Sequence, residues 1–105
     1  MKAELASQAQ DLGKALARLR LARGVKQHDA ALRAGLSRNT AYRLERGDPG
    51  VAVGQVLRYL DAIAPGKSLL ELLSESDPAL TLLRAKELRH RARELTQAEL
   101  EKLDF

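Results

Sequence analysis

Cysteine is absent, which excludes disulfide frameworks, thiolate metal sites and cysteine nucleophiles from the outset. Tryptophan is also absent, tyrosine and phenylalanine together number three, and valine and isoleucine number five. Sheets are thus left almost without the side chains they favour. The two histidines, His28 and His90, stand far apart and make poor metal ligands without other help. No apolar run approaches the roughly 20 residues that span a bilayer, and Met1-Lys2-Ala3-Glu4 lacks the apolar stretch of a signal peptide. These absences predict a cytoplasmic protein with no membrane association, no metal and no cofactor. No nucleophile, carboxylate pair or phosphate loop has a supporting context, so an enzyme is not expected either.

What remains is helical material. Leucine (21) and alanine (17) dominate a chain of 105 residues, and both rank high in helix propensity. The composition predicts an all-α fold around one core. A net charge of +4 is compatible with nucleic acid, an acidic protein or a membrane surface. Its distribution is more telling, because residues 1–25, 26–47 and 84–94 each carry +3 whereas 48–83 and 95–105 carry −3 and −2.

Helical spacing of Leu12, Leu16 and Leu19 after a Ser7/Gln10 capping-box pair predicts a first helix from Ser7 to Arg23, stopped at Gly24. A short second helix is expected over Gln27 to Ala34, closed by Gly35. Ser37 is placed to cap a third of about residues 38–46, which ends at Gly47. After the Asp48-Pro49-Gly50 turn, Val53, Val56, Leu57, Leu60 and Ile63 mark the apolar face of a fourth helix, ended by Pro65-Gly66. Ser68 with Glu71 opens a short leucine-rich fifth helix through Leu73, and its excess of leucines suggests an interface. Asp77-Pro78 reads as the cap and first residue of a sixth helix reaching about Glu94, with Thr96 and Glu99 capping a last short one.

Two short helices joined by Gly35-Leu36-Ser37 have the spacing of a helix-turn-helix, in which one helix braces while the next enters the DNA major groove. Over Leu12 to Ala64 the chain resembles the Cro/CI-like (Xre-family) DNA-binding domain. The resemblance rests on Leu19-Arg20, Gly24-Val25, Gln27, Ala31, Gly35, Leu36-Ser37, Thr40, Leu44-Glu45 and Gly47. It implies a five-helix, lambda repressor-like bundle with a helical C-terminal extension, here residues 1–74 and 75–105, and an internal ion pair between Arg20 and Glu45. Lys26, Ala30, Ala41 and Leu32 depart from the family pattern. The two buried-side alanines imply a light core, and Leu32 needs cover from the C-terminal segment or a partner.

The expected DNA-contacting set is Gln27, Ser37, Arg38, Asn39, Thr40, Tyr42 and Arg43. Arg38, Asn39 and Arg43 suit base edges, because arginine matches guanine O6/N7 and asparagine matches adenine N6/N7. Thr40 suits a thymine methyl or a phosphate, and Tyr42 a contact from the same helix face. Gln27 resembles the family's phosphate-clamping glutamine, and Ser37 offers its amide to phosphate as well as capping. The leading expectation is a homodimeric repressor on a palindromic double-stranded operator. The alternative is an antitoxin that binds a toxin partner and autoregulates its operon, since Arg43 to Val51 with Gly54 and Leu57-Arg58 is similar to HipB-like proteins. A bridging factor on the transcription machinery is a third reading. The basic run Arg84 to Arg93 is open to phosphate contact, to covering Leu32, or to being an exposed helix face.

Overall fold

A computed structural model describes residues 1–74 and 77–103, with side chains up to Thr96 in the last helix. The described residues are helical, without strands: α1 (Ala3–Ala22), α2 (Gln27–Ala34), α3 (Arg38–Glu45), α4 (Val53–Ile63), α5 (Leu69–Ser74) and α6 (Pro78–Leu103). α2 and α3 lie where the sequence puts them. α1 starts four residues early, so Ser7 and Gln10 sit inside a helix rather than at its cap. Ala3, Glu4 and Ala6 are good helix formers, and Glu4 in the first turn suits the positive end of the helix dipole. The separate last helix is also corrected. α6 runs through Thr96, whose hydroxyl donates to Ala92 O at 2.9 Å instead of capping; the Glu99 side chain lies outside the described residues.

Leu16 and Leu19 of α1, Ala30, Ala31 and Ala34 of α2, Ala41 and Leu44 of α3, and Val56, Tyr59, Leu60 and Ile63 of α4 form the core together with Ala64, Leu72 of α5 and Leu80 of α6. Ala30 and Ala41 are both fully buried, where small side chains let helices approach closely. Leu36 is only half-buried at the core's edge. The α4 face is rotated from its predicted setting. Val53 and Leu57 are exposed and Tyr59 is fully buried, because its hydroxyl meets the Glu45 carboxylate inside the bundle. Gly50 of the Asp48-Pro49-Gly50 turn is not among the residues of positive φ. Its turn is closed instead by Asp48, whose Oδ1 accepts from Gly50 N at 2.8 Å.

The extension is tied back by Leu80 in the core and by one buried carboxylate. Asp77 caps α6 through Ala79 N at 2.8 Å and takes Arg23 from the end of α1 (2.6 Å) and Lys67 from the α4–α5 connection (3.0 Å). Burial pushes its carboxyl up, but Arg23, the Ala79 amide and Lys67 outweigh that and hold the pKa at about 2. The folded pKa is below the ordinary 3.8, so the stabilisation is complete above about pH 4 and is lost as pH falls towards 2. Urea unfolding across that window should lose about 2 kcal/mol, a loss absent in Asp77→Asn. An equal acid slope in both proteins would contradict the assignment.

Candidate nucleic-acid interface

The turn between α2 and α3 sets the geometry. Gly35 takes the left-handed conformation at φ 68°, and Leu36 N donates back to Ala31 O at 2.9 Å, so the chain reverses within three residues. Ser37 then caps α3, its Oγ accepting from Thr40 N at 3.0 Å while its hydroxyl donates to Thr40 Oγ1 at 2.9 Å. Both Thr40 and Ser37 hydroxyls are thereby engaged with each other. α2 has no such cap: Lys26 stands at its N-terminus without a side-chain bond.

Of the residues predicted to meet DNA, Arg38, Asn39 and Tyr42 are exposed on the outer side of α3. Gln27, half-buried at the start of α2, lines a small cleft together with His28 and Arg38. The bracing helix and the following one thus meet at the Gln27–Arg38 edge. Thr40 is half-buried, as its bond to Ser37 requires. Arg43 is held differently from the others. Its Nε donates to Asp48 Oδ2 at 2.7 Å, and this bond, with the Gly50 amide, keeps the Asp48 carboxyl below its usual pKa. Arg43 is thus anchored to the turn after α3 rather than free on the helix face.

Sequence reasoning missed Arg46. Its guanidinium lies 5.3 Å from the Tyr42 ring centroid and donates to the Tyr42 hydroxyl at 2.5 Å, so ring and cation form one unit. The i, i+4 spacing on the exposed face was the available signal. Leu32, expected to be covered, is 73% exposed. The run Arg84 to Arg93 leaves it uncovered and is mainly an exposed face of α6.

Behind the exposed face, Glu45 points inward. Arg20 Nε donates to Glu45 Oε2 at 2.7 Å and its Nη2 to Oε1 at 3.0 Å, which is the ion pair implied by the family resemblance. Arg20 Nη1 also donates to Val25 O at 2.9 Å, tying the α1–α2 connection to the same group. Glu45 therefore fixes the end of α3 and takes no part in the outer surface, so α3's own basic residues face outward unopposed by it. Among the described residues no group of acidic or histidine side chains is arranged to hold a metal. No helix among them is long and apolar enough to cross a membrane.

A short helix braced against a second by a three-residue turn, with its polar face outward, defines a helix-turn-helix protein. The chain belongs to that family: the family model described as a helix-turn-helix domain matches residues 11–73. The matched stretch runs from α1 to α5 and leaves α6 outside it. No curated protein and no solved structure matches the chain.

Proposed function

We propose that the protein is a non-enzymatic, sequence-specific DNA-binding transcriptional regulator, a homodimeric repressor that occludes its promoter. The observation that carries this reading is the exposed polar face of α3, held by a capped turn and buttressed from behind by Glu45. In this reading residues 1–74 form the DNA-reading unit and 75–105 an extension. Arg38 and Asn39 read base edges, Tyr42 with Arg46 lies along the backbone or a base, and Gln27 and the Ser37 amide hold phosphates. Thr40 acts chiefly by fixing Ser37. Arg43 reaches the groove from its anchor on Asp48, with its terminal nitrogens left for guanine.

Footprinting on the promoter region of its own gene tests the reading. Preference for that region over random DNA at physiological salt is expected, with affinity falling steeply as salt rises. Arg43→Ala should relax preference at one base position by about 1 to 3 kcal/mol, whereas Gln27→Ala weakens all sequences alike. No preference over random DNA would sink it. The HipB-like antitoxin reading draws support from α6, which the family match leaves uncovered. A toxin-like reading frame beside the gene and a second protein that copurifies would favour it; a clean homodimer without a partner gene would count against it.

A further inference from the structure

From Leu88 to Thr96 every residue of α6 is exposed. The helix begins at the buried Asp77–Arg23 pair and runs back along α1 as far as Glu87, which takes Arg18 at 2.5 Å. Beyond that point the hydrogen bonds and ion pairs given by the described side chains stay inside the helix, His90 to Glu94 at 2.8 Å and Thr96 to Ala92. Residues 88–96 thus project for about 13 Å. A helix of that length is marginal in water by itself, and most helices owe their stability to an apolar face packed on something else.

This segment has such a face. Ala85, Leu88, Ala92 and Leu95 recur at intervals of three, four and three, the seam spacing of paired helices. Leu88 and Leu95 are about two-thirds exposed. Small and large residues alternate along the seam, so a second helix can approach closely at the alanines while the leucines fill its grooves.

The flanks decide what that second helix is. Arg84 and Arg91 stand on one side of the seam and Arg89 on the other. Among the described residues, Arg89 and Arg91 have no acidic partner, because Glu87 is taken by Arg18 and Glu94 by His90. A second copy fits badly. Paired in parallel, Arg91 of one copy faces Thr96 of the other and finds no carboxylate; paired antiparallel with each leucine against an alanine, Arg89 meets Arg89 and Arg91 meets Arg91. DNA satisfies the arginines but leaves both leucines facing solvated phosphates. We propose that the exposed half of α6 is a docking surface for an acidic amphipathic helix of a partner protein, with leucine in the seam and carboxylates beside it. The proposal is independent of whether α3 reads DNA.

The full chain is titrated, at physiological salt, into a fluorescently labelled peptide of about three heptads with leucine at both seam positions and glutamate at both flanking positions. Fluorescence anisotropy should show saturable binding, and a lysine-flanked peptide should not bind. The Leu88→Ser/Leu95→Ser double variant should weaken binding at least tenfold. Its urea unfolding should match the parent's, since neither leucine is in the core. Arg89→Glu/Arg91→Glu should reverse the preference towards the lysine-flanked peptide. Absence of binding, or binding indifferent to the two leucines, overturns the proposal. So does loss of random-duplex binding in the Arg89/Arg91 variant without any peptide binding, which would make the face a phosphate contact. Loss of a dimer in the Leu88/Leu95 variant by sedimentation would assign it to a second copy instead.

Discussion

Gly47→Ala is expected to destabilise the protein by about 3 kcal/mol or more, from two separable causes. Gly47 has φ 76°, and left-handed backbone costs an alanine about 1 to 2 kcal/mol. A Cβ there would also stand 2.4 Å from Gln10 Cα and 2.5 Å from Ala9 O, atoms of the α1 backbone that no rotamer change can move. Forcing α1 away adds an overpacking cost of about 1 to 3 kcal/mol. Gly24→Ala isolates the first cause, since φ is 69° and no atom lies within 4 Å of the new carbon; about 1 kcal/mol is expected. Gly13→Ala isolates the second, because its Cβ meets Gly47 N at 2.6 Å and Glu45 O at 2.7 Å without a positive φ.

Urea unfolding of the three variants checks the ordering, with Gly47→Ala the least stable. A Gly47→Ala midpoint equal to that of Gly24→Ala would mean that α1 yields freely, and the contact at 2.4 Å would carry no energy. The double variant Gly13→Ala/Gly47→Ala should cost less than the two losses added together, because one displacement of α1 relieves both overlaps. The consequence extends to the exposed face of α3, since its last residue, Glu45, lies on this contact and Gly47 stands two residues beyond.

These contacts show what the sequence makes legible and what it hides. Ser37 as a cap, Gly35 as a turn and Asp77-Pro78 as a helix start could be read because each depends on neighbours within four residues. The setting of α4 could not, because Tyr59 turns inward for a carboxylate fourteen residues away, displacing the more apolar Val53 and Leu57 to the surface. Nor could the Gly13–Gly47 contact, since glycine in a helix gives no sign of what crosses it.

The candidate site divides in the same way. Exposure of Arg38, Asn39 and Tyr42 follows from the period of α3, which is a local property. The tether of Arg43 and the stacking of Arg46 depend on side-chain choices among several available acceptors and rings, and periodicity ranks none of these. Continuity of α6 was hidden by a competition: Thr96 offers both a cap and a back-bond to the preceding turn, and good helix formers on both sides favour the latter.

Glu45→Ala is expected to cost about 3 to 5 kcal/mol, the range for breaking a buried ion pair from one side. Arg20 and Glu45 side chains are 13% and 7% exposed, so removal of the carboxylate strands a charged guanidinium and the Tyr59 hydroxyl together. Arg20 Nη1 keeps Val25 O, which offsets only part of the loss. The pair itself need not be a net gain. Replacing Arg20 and Glu45 with methionine and Tyr59 with phenylalanine should recover most of the lost stability, since no polar group of the trio is then left buried without its partner. Urea unfolding of the singles and the triple reads this directly, and a loss below about 1 kcal/mol for Glu45→Ala would place the pair with solvent-screened surface bridges. Alkaline unfolding supplies a second readout. Burial first, then the bond to Glu45, raises the Tyr59 pKa above its ordinary 10.0. The neutral phenol is therefore favoured in the folded state, and its contribution is complete below about pH 10 and declines as pH rises beyond it. Tyr59→Phe should remove that decline. Because Glu45 closes α3, the triple variant should recover most of its urea midpoint and yet hold α3 less rigidly, so under the proposed function its DNA preference should fall although its stability largely returns.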